Sequence, residues 1–291
     1  MALETDGNGG IIGPNQTLSA APPTNPNLGG GSGLYTVAEV RRARLANTWP
    51  LFSQASIVAT GGTENIYTTP AGTFKSHTFT GAGSFVVSSL NVPAPTATVE
   101  WFVVAGGGNA GAGIDFPPYS ISQLGGSGGG GGYRTGTSPI SAGTYPVSVG
   151  AAAANSTLAL PTPITSTAGG AGGIGNGFAG TFAGSPGGSG GGGASGTPGG
   201  SQPGGTGNTP PTTPPQGNPG TTYTGGGAGA PGASGGAGVT INAINGTPFI
   251  VSGTGGSGST YGGGGTGSYA PGPAGQAGVV IVRYPVQRGV Q

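Results

Sequence analysis

Thr98-Val-Glu-Trp-Phe-Val-Val104 runs directly into Ala105-Gly-Gly-Gly108. The first seven residues are β-branched or aromatic at all but one position, the composition of a strong central strand. The next residues open a glycine matrix: 72 of the 291 residues are glycine, and the excess falls after Gly106, in runs such as Gly125 to Gly132 and Gly187 to Gly193. A second concentrated apolar strand, Val279-Val-Ile-Val-Arg-Tyr284, follows the last glycine-rich stretch. Two regimes therefore share one chain, strong strands and segments with almost no side chains to pack.

Apolar residues make up 33% and charged residues 4% of the chain, against roughly 45–50% and 25% in ordinary globular domains. Neither an ordinary core nor an ordinary surface can be built from this. Intrinsic disorder goes with low hydrophobicity and high net charge, whereas the net charge here is +1. The remaining unstructured alternative is an uncharged flexible linker. Seven basic and six acidic residues exclude a general nucleic-acid surface. There is no cysteine, hence no disulfide framework and no thiolate metal site. Met1-Ala-Leu-Glu-Thr-Asp6 lacks the basic and apolar regions of a secretory signal, and no apolar run approaches a membrane span. Membrane insertion and a bound cofactor are accordingly not expected.

Ordering glycine costs backbone entropy and returns almost no side-chain burial. The compensation open to such a sequence is backbone hydrogen bonding between extended threefold helices of the polyproline II kind, which can approach closely where no side chain keeps them apart. Collagen is the competing threefold structure and requires glycine at every third position. Ala270-Pro-Gly-Pro-Ala-Gly-Gln-Ala-Gly278 keeps that period briefly, but Gly187-Gly-Ser-Gly-Gly-Gly-Gly193 and Asn208-Thr-Pro-Pro-Thr-Thr-Pro-Pro-Gln-Gly217 break it.

Along the chain, residues 1–34 read as an extended arm. Residues 35–55 hold a short helix over Thr36–Asn47, with Thr36 and Glu39 spaced as a capping box and Pro50 beyond its end. Val37, Val40, Arg41, Arg42, Arg44, Leu45 and Trp49 make this a docking element for other proteins of an assembly. The alternative is a helix packed on its own domain, its arginines favoured near the helix C-terminus. Residues 56–285 form a glycine-rich β domain and 286–291 a C-terminal tail. Strands are expected at 56–60, 65–68, 75–80, 84–88, 98–104, 144–149, 239–242, 249–252 and 278–284. Pro146 points to an edge position for its strand. The fold class is thus mostly β: a β-sandwich-like domain with glycine-rich excursions at 105–143, 151–238 and 253–277, packed on one another as a polyglycine or polyproline II helix bundle.

Catalytic chemistry has little support. His77, the single histidine, reads as a satisfied surface imidazole, and no two of Glu4, Asp6, Glu39, Glu64, Glu100 and Asp115 are spaced as an acid/base pair, though folding could join Glu64 and Glu100. The Gly-x-Gly-x-x-Gly matches precede no helix carrying Lys-Ser/Thr. Aromatic residues punctuate the glycine matrix, including Phe116, Tyr119, Tyr133, Phe178, Phe182, Tyr223, Tyr261 and Tyr269. Rigid rings on small-residue loops suit binding, and Phe116, Tyr119 and Tyr223 are the candidate receptor contacts. The competing reading is that the rings fill gaps between sheet and bundle, or between subunits.

Five features in order, Phe79-Thr-Gly-Ala-Gly-Ser-Phe85, Val99-Glu-Trp-Phe-Val-Val-Ala-Gly-Gly-Gly108, Gly129-Gly-Gly-Gly-Tyr133, Gly143-Thr-Tyr-Pro-Val-Ser-Val-Gly150 and Gly275-Gln-Ala-Gly-Val-Val-Ile-Val-Arg-Tyr-Pro285, resemble a glycine-rich domain of virion proteins of tailed phages, notably phages of marine bacteria. The Ala151–Ala154 and Pro161-Thr-Pro163 segments depart from that pattern. The resemblance implies a tail fibre, baseplate or adhesin component, exposed on the virion and touching a host surface glycan or outer-membrane protein. Val37 to Pro50 resembles amino-terminal segments of some marine phage structural proteins, which implies a virion anchor. A symmetric homo-oligomer, with a trimer as the first expectation, would bury what the arm and helix leave open. The alternative role is capsid decoration or a head fibre without a receptor; a secreted matrix protein is a third. No enzymatic activity is expected.

Overall fold

The computed structural model describes residues 57–90, 97–116, 121–175, 182–196, 200–234, 236–254, 258–268 and 272–286. The expected arm, helix and docking residues Val37, Val40, Arg41, Arg42, Arg44, Leu45 and Trp49 lie outside them, as do Tyr119, Phe178 and Tyr269.

Two five-stranded antiparallel sheets face each other. Their strands, in chain order, are β1 (Ile57–Thr60), β2 (Thr63–Thr69), β3 (Gly72–Phe79), β4 (Gly83–Leu90), β5 (Thr98–Val104), β8 (Tyr133–Pro139), β9 (Gly143–Ser148), β10 (Ser156–Leu158), β11 (Ile164–Ser166) and β16 (Val279–Pro285). Shorter pairs lie elsewhere: β6 (Ile114–Phe116) with β7 (Ile121–Gln123), β12 (Ser195–Gly196) with β13 (Gly200–Ser201), and β14 (Val239–Ile241) with β15 (Phe249–Val251). One sheet is ordered β1-β4-β9-β10-β11 and the other β2-β3-β16-β5-β8. Phe85, Val87, Tyr145, Val147, Leu158 and Ile164 of the first meet Phe79, Val99, Trp101, Val103, Val280, Val282 and Tyr284 of the second in the sandwich core.

The β5 and β16 sequences are almost continuously apolar because these strands are buried on both faces. On the side away from the core, Phe102, Val104, Val279 and Ile281 pack with Ile241, Ala243 and Val251 of the β14–β15 region. That hairpin, expected as part of the sandwich, is a separate two-stranded sheet covering the outer face. Tyr67 Oη donates to the Ala243 carbonyl (3.0 Å) and Ser76 Oγ to the Ile244 carbonyl (2.5 Å), so the strands beneath hold it.

Two further expectations are corrected. Residues 133–139 and 156–166, assigned above to excursions, return to the sheets as β8, β10 and β11. Gly136 of β8 makes room for the Trp101 indole, since a Cβ there would lie 2.6 Å from the ring. Pro146 is not on an edge, because β9 lies between β4 and β10. Its carbonyl accepts from Ala159 N–H, and the ladder with β10 spans only Val147 and Ser148. The Pro146 carbonyl thus still bonds toward β10, and the proline costs the pair only the bond its N–H would have made.

The glycine segments form the expected bundle, with hydrogen bonds repeating every third residue. Gly126, Gly129 and Gly132 donate to Gly173, Gly170 and Thr167; Ser127 and Gly130 donate to Tyr223 and Gly226; Gly125, Gly128 and Gly131 donate to Ser268, Gly265 and Gly262. Each set serves one neighbour, so residues 124–132 present three donor faces, as a threefold helix must. The same segment accepts from Gly108 and Gly111 on one side and from Gly192 and Ser195 on another. A Cβ built on Gly125, Gly126, Gly128 or Gly131 would lie 2.0–2.1 Å from a carbonyl oxygen of the next segment. None of these glycines has a positive φ. Glycine is required here for close approach of backbones, not for left-handed turns.

Bundle and sheet share one register. Partner numbers in the β5–β8 ladder add to 237, from Thr98 with Pro139 to Val104 with Tyr133. The same sum holds for Ala105 with Gly132, Gly108 with Gly129 and Gly111 with Gly126 in the bundle. It holds again for Ile114 with Gln123 and Phe116 with Ile121 in β6–β7. Residues 98–139 are therefore one long hairpin that is β at both ends and threefold in the middle. Beside it, Val104 with Val279 and Val103 with Val280 continue as Gly107 with Gln276 and Ala110 with Pro273.

A Cβ at Gly190 would lie 1.9 Å from the Gly205 carbonyl oxygen, whereas one at Gly81 would meet nothing within 4 Å. Gly190→Ala is expected to destabilise the domain by at least about 1–3 kcal/mol, a fall in Tm of about 2–4 °C per kcal/mol, while Gly81→Ala stays within about 0.5 kcal/mol. Calorimetry on the pair reads the difference; equal melting temperatures would make the segment a spacer.

Candidate functional site

The bundle has a near end, joined to β5, β8 and β16, and a far end. Segment directions follow from the bonds: 105–113 runs outward and 124–132 back, 167–175 outward, 187–195 outward, 202–208 back, 217–222 outward, 223–228 back, 262–268 outward and 273–278 back. The β6–β7 hairpin, the β12–β13 hairpin, the Thr222–Thr224 turn and the ends at Gly175, Phe182, Ser268 and Gly272 all belong to the far end. Gly175 N–H bonds to Ala112, Ser195 N–H to Leu124 and Gly125 N–H to Ser268, tying these reversals together.

Two of the candidate contact positions come to this end. Phe116 closes β6 at the tip of the long hairpin. Tyr223 sits in the Thr222–Thr224 turn with φ 69°, its backbone held by Gly193 and Ser127 and its side chain 37% exposed. Ile174 is exposed beside them, and Ile114, Leu124 and Phe182 are half-buried. Among the side chains described there, none is charged. The β6 strand at this end also carries Asp115 in its sequence. Other rings do fill gaps: Tyr133 and Tyr261 pack against the outer-face cluster, Tyr261 edge-on to Phe249 at 6.1 Å.

The ion pairs among the described residues lie instead in the sandwich and serve the fold. His77 is fully buried, which corrects its expected surface position. Its Nδ1 is 2.9 Å from the Gly61 carbonyl and its Nε2 3.1 Å from Tyr284 Oη. A carbonyl only accepts, so Nδ1 carries the proton and Nε2 accepts from the phenol. Burial pushes the imidazole below its ordinary value, and burial with the nearby Glu64 charge pushes the Tyr284 phenol up to about 12. Glu64 pairs with Lys75 at 2.8 Å, a hydrogen bond that holds the carboxyl below its usual range.

Glu100 instead pairs with Arg283, whose Nε is 2.7 Å from Oε2, so folding does not make an acid pair of Glu64 and Glu100. Burial opposes the Arg283 charge, but bonds to Tyr67 and Glu100 more than offset it. The guanidinium also stands over the Phe74 and Phe102 rings at 4.7 and 5.2 Å. Among the described residues, no group of three or more His, Cys, Asp or Glu side chains converges to hold a metal ion.

Polar residues at the seam between sheet and bundle carry no signal in the sequence. Where the two-residue alternation of a strand gives way to a threefold repeat, serine hydroxyls bond to backbone carbonyls. Ser156 Oγ donates to Val104 (2.8 Å), Ser166 Oγ to Gly132 (2.5 Å) and Ser252 Oγ to Gly131. Gln216, also buried, receives Thr167 N–H on Oε1 (2.9 Å) and donates to the Pro210 carbonyl (3.0 Å). A serine among many serines carries no sequence signal, and only the register change identifies these.

The fold and its far-end loops define a β-sandwich that extrudes a backbone-built bundle. Residues 80–285 match the model of the glycine-rich domain, and the chain belongs to that family. Neither the curated proteins nor the solved structures give a match to it.

Two outcomes follow. Ser156→Ala removes the buried hydroxyl that accepts Gly150 N–H (3.0 Å) and donates to the Val104 carbonyl, and is expected to cost about 1–3 kcal/mol, read by urea denaturation. For His77, the folded value is below the unfolded one, so the unfolded chain binds the proton more readily. Its contribution is full above about pH 6.5 and is lost as pH falls below that value. Stability should drop between pH 7.5 and 5 by up to about 1.4 kcal/mol per unit, with the slope removed in His77→Phe. Glu64, held low, contributes its own loss only at more acid pH.

Proposed function

We propose that this chain is a structural protein of a tailed-phage virion, an exposed tail-fibre, baseplate or adhesin component that touches the host with the far end of its bundle. The supporting observation is that separate reversals of the chain, with Phe116 at the β6–β7 tip and Tyr223 in a turn, collect at one end of a bundle fixed by backbone bonds. A backbone-built support that gathers several chain reversals at one end suits recognition. The partner is a surface glycan or outer-membrane protein. Attachment to other virion proteins runs through Val37, Val40, Arg41, Arg42, Arg44, Leu45 and Trp49, and the protein acts as a homo-oligomer. No catalytic step, cofactor or nucleic-acid contact is assigned.

Immunogold or cryo-EM location with an antibody to the β domain tests this on intact particles. Label at the tail or baseplate is the expected result; label over the head would assign capsid decoration, and absence from particles would end the virion reading. Replacing Arg41, Arg42 and Leu45 together should abolish incorporation while the β domain stays folded. Tyr223→Ala should lower the adsorption rate several-fold at unchanged incorporation.

A further inference from the structure

We propose that the outer edge of β2 is a self-association surface on which a second copy of this chain lays its own β2, antiparallel. The two sheets of the sandwich have four terminal strands: β1, β11, β2 and β8. An open strand edge offers unpaired N–H and C=O groups to any other strand, and stable monomers blunt such edges. Three of the four are blunted here. β1 has four residues and a register break between Val58 and Ala59. β11 has three residues. β8 contains Gly136 and Pro139, and its Tyr133 N–H is already bonded to the Gln216 carbonyl.

β2 has none of these protections. It is seven residues long, Thr-Glu-Asn-Ile-Tyr-Thr-Thr, without glycine or proline, and pairs with β3 in unbroken register from Thr63–Thr78 to Thr69–Gly72. Among the described residues, no backbone bond outside the ladder reaches it. Its single charge, Glu64, is neutralised by Lys75 at 2.8 Å. At its centre Ile66 is 68% exposed, the most exposed of the large apolar side chains described.

The strand is also self-complementary. In a twofold antiparallel pairing centred on Ile66, that residue meets Ile66 of the copy, Glu64 meets Thr68, Asn65 meets Tyr67 and Thr63 meets Thr69. No like charges face each other, and the apolar side chains coincide. The contact is isologous and closes on itself. It joins the two β2-containing sheets into one that runs through both molecules. A seam of this length is smaller than a standard interface of about 1,600 Å², so association should be reversible in the micromolar range.

Sedimentation equilibrium of the full chain from about 1 to 200 μM should show the mass rising from one chain toward two. Ile66→Lys should shift the dissociation constant at least tenfold, and Val58→Lys, at an exposed position on β1, should leave it unchanged. The chain has no cysteine, so Ile66→Cys gives a single thiol per copy. Directly opposed residues have Cβ atoms about 4.5–5.5 Å apart, near the range a disulfide spans. Mild oxidation should therefore cross-link Ile66→Cys and not Val58→Cys. A monomer throughout, an association that Ile66→Lys leaves intact in a folded chain, or failure of the Ile66→Cys cross-link would each overturn the proposal.

Discussion

The constraint on which everything else rests is the distance between neighbouring backbones in the bundle. A Cβ at Gly126 would sit 2.0 Å from the Gly192 carbonyl oxygen, and one at Gly191 would sit 2.0 Å from that of Ala171. Such gaps admit no side chain, so the stabilising contacts are N–H···O=C bonds of about 2.8–3.0 Å repeated every third residue. Glycine loses more backbone freedom on ordering than any other residue. What offsets that loss is the repeated backbone bonding between segments, much of it buried. The sandwich supplies the apolar burial that the bundle lacks, and it also fixes the register in which the bundle starts.

That division explains which features could be read from the chain. β5 and β16 were legible because residues buried on both faces leave an unbroken apolar run. The bundle was legible because glycine at this density has few ordered uses once the collagen period fails. β8, β10 and β11 were not, since Tyr133–Pro139 is mostly small and polar and the other two have three residues each. Pro146 misled because a proline tells only that an N–H is missing, not which way it would have pointed. His77 misled because its partners, Gly61 and Tyr284, are set by tertiary contact, the second of them 207 residues away.

The candidate site was legible only in part. Aromatic residues among glycines marked Phe116 and Tyr223, but their shared location follows from segment directions, which no local pattern encodes. Tyr133 and Tyr261 carried the same sequence signature and turned out to pack against the sheet. The seam serines had no signature at all, because they answer a geometric mismatch between two kinds of hydrogen-bond repeat.

The unbroken register from Thr98–Pro139 to Phe116–Ile121 has a mechanical consequence. The bundle is not tethered to the sandwich by linkers; the backbone of β5, β8 and β16 passes into it without a turn. A pull on the far end is carried along the strand direction into the interior of a sheet. The bonds across β3, β16, β5 and β8 then share the load in parallel, in shear, instead of opening one after another as a peeled edge does. Tension applied at the tip is resisted by the whole ladder at once.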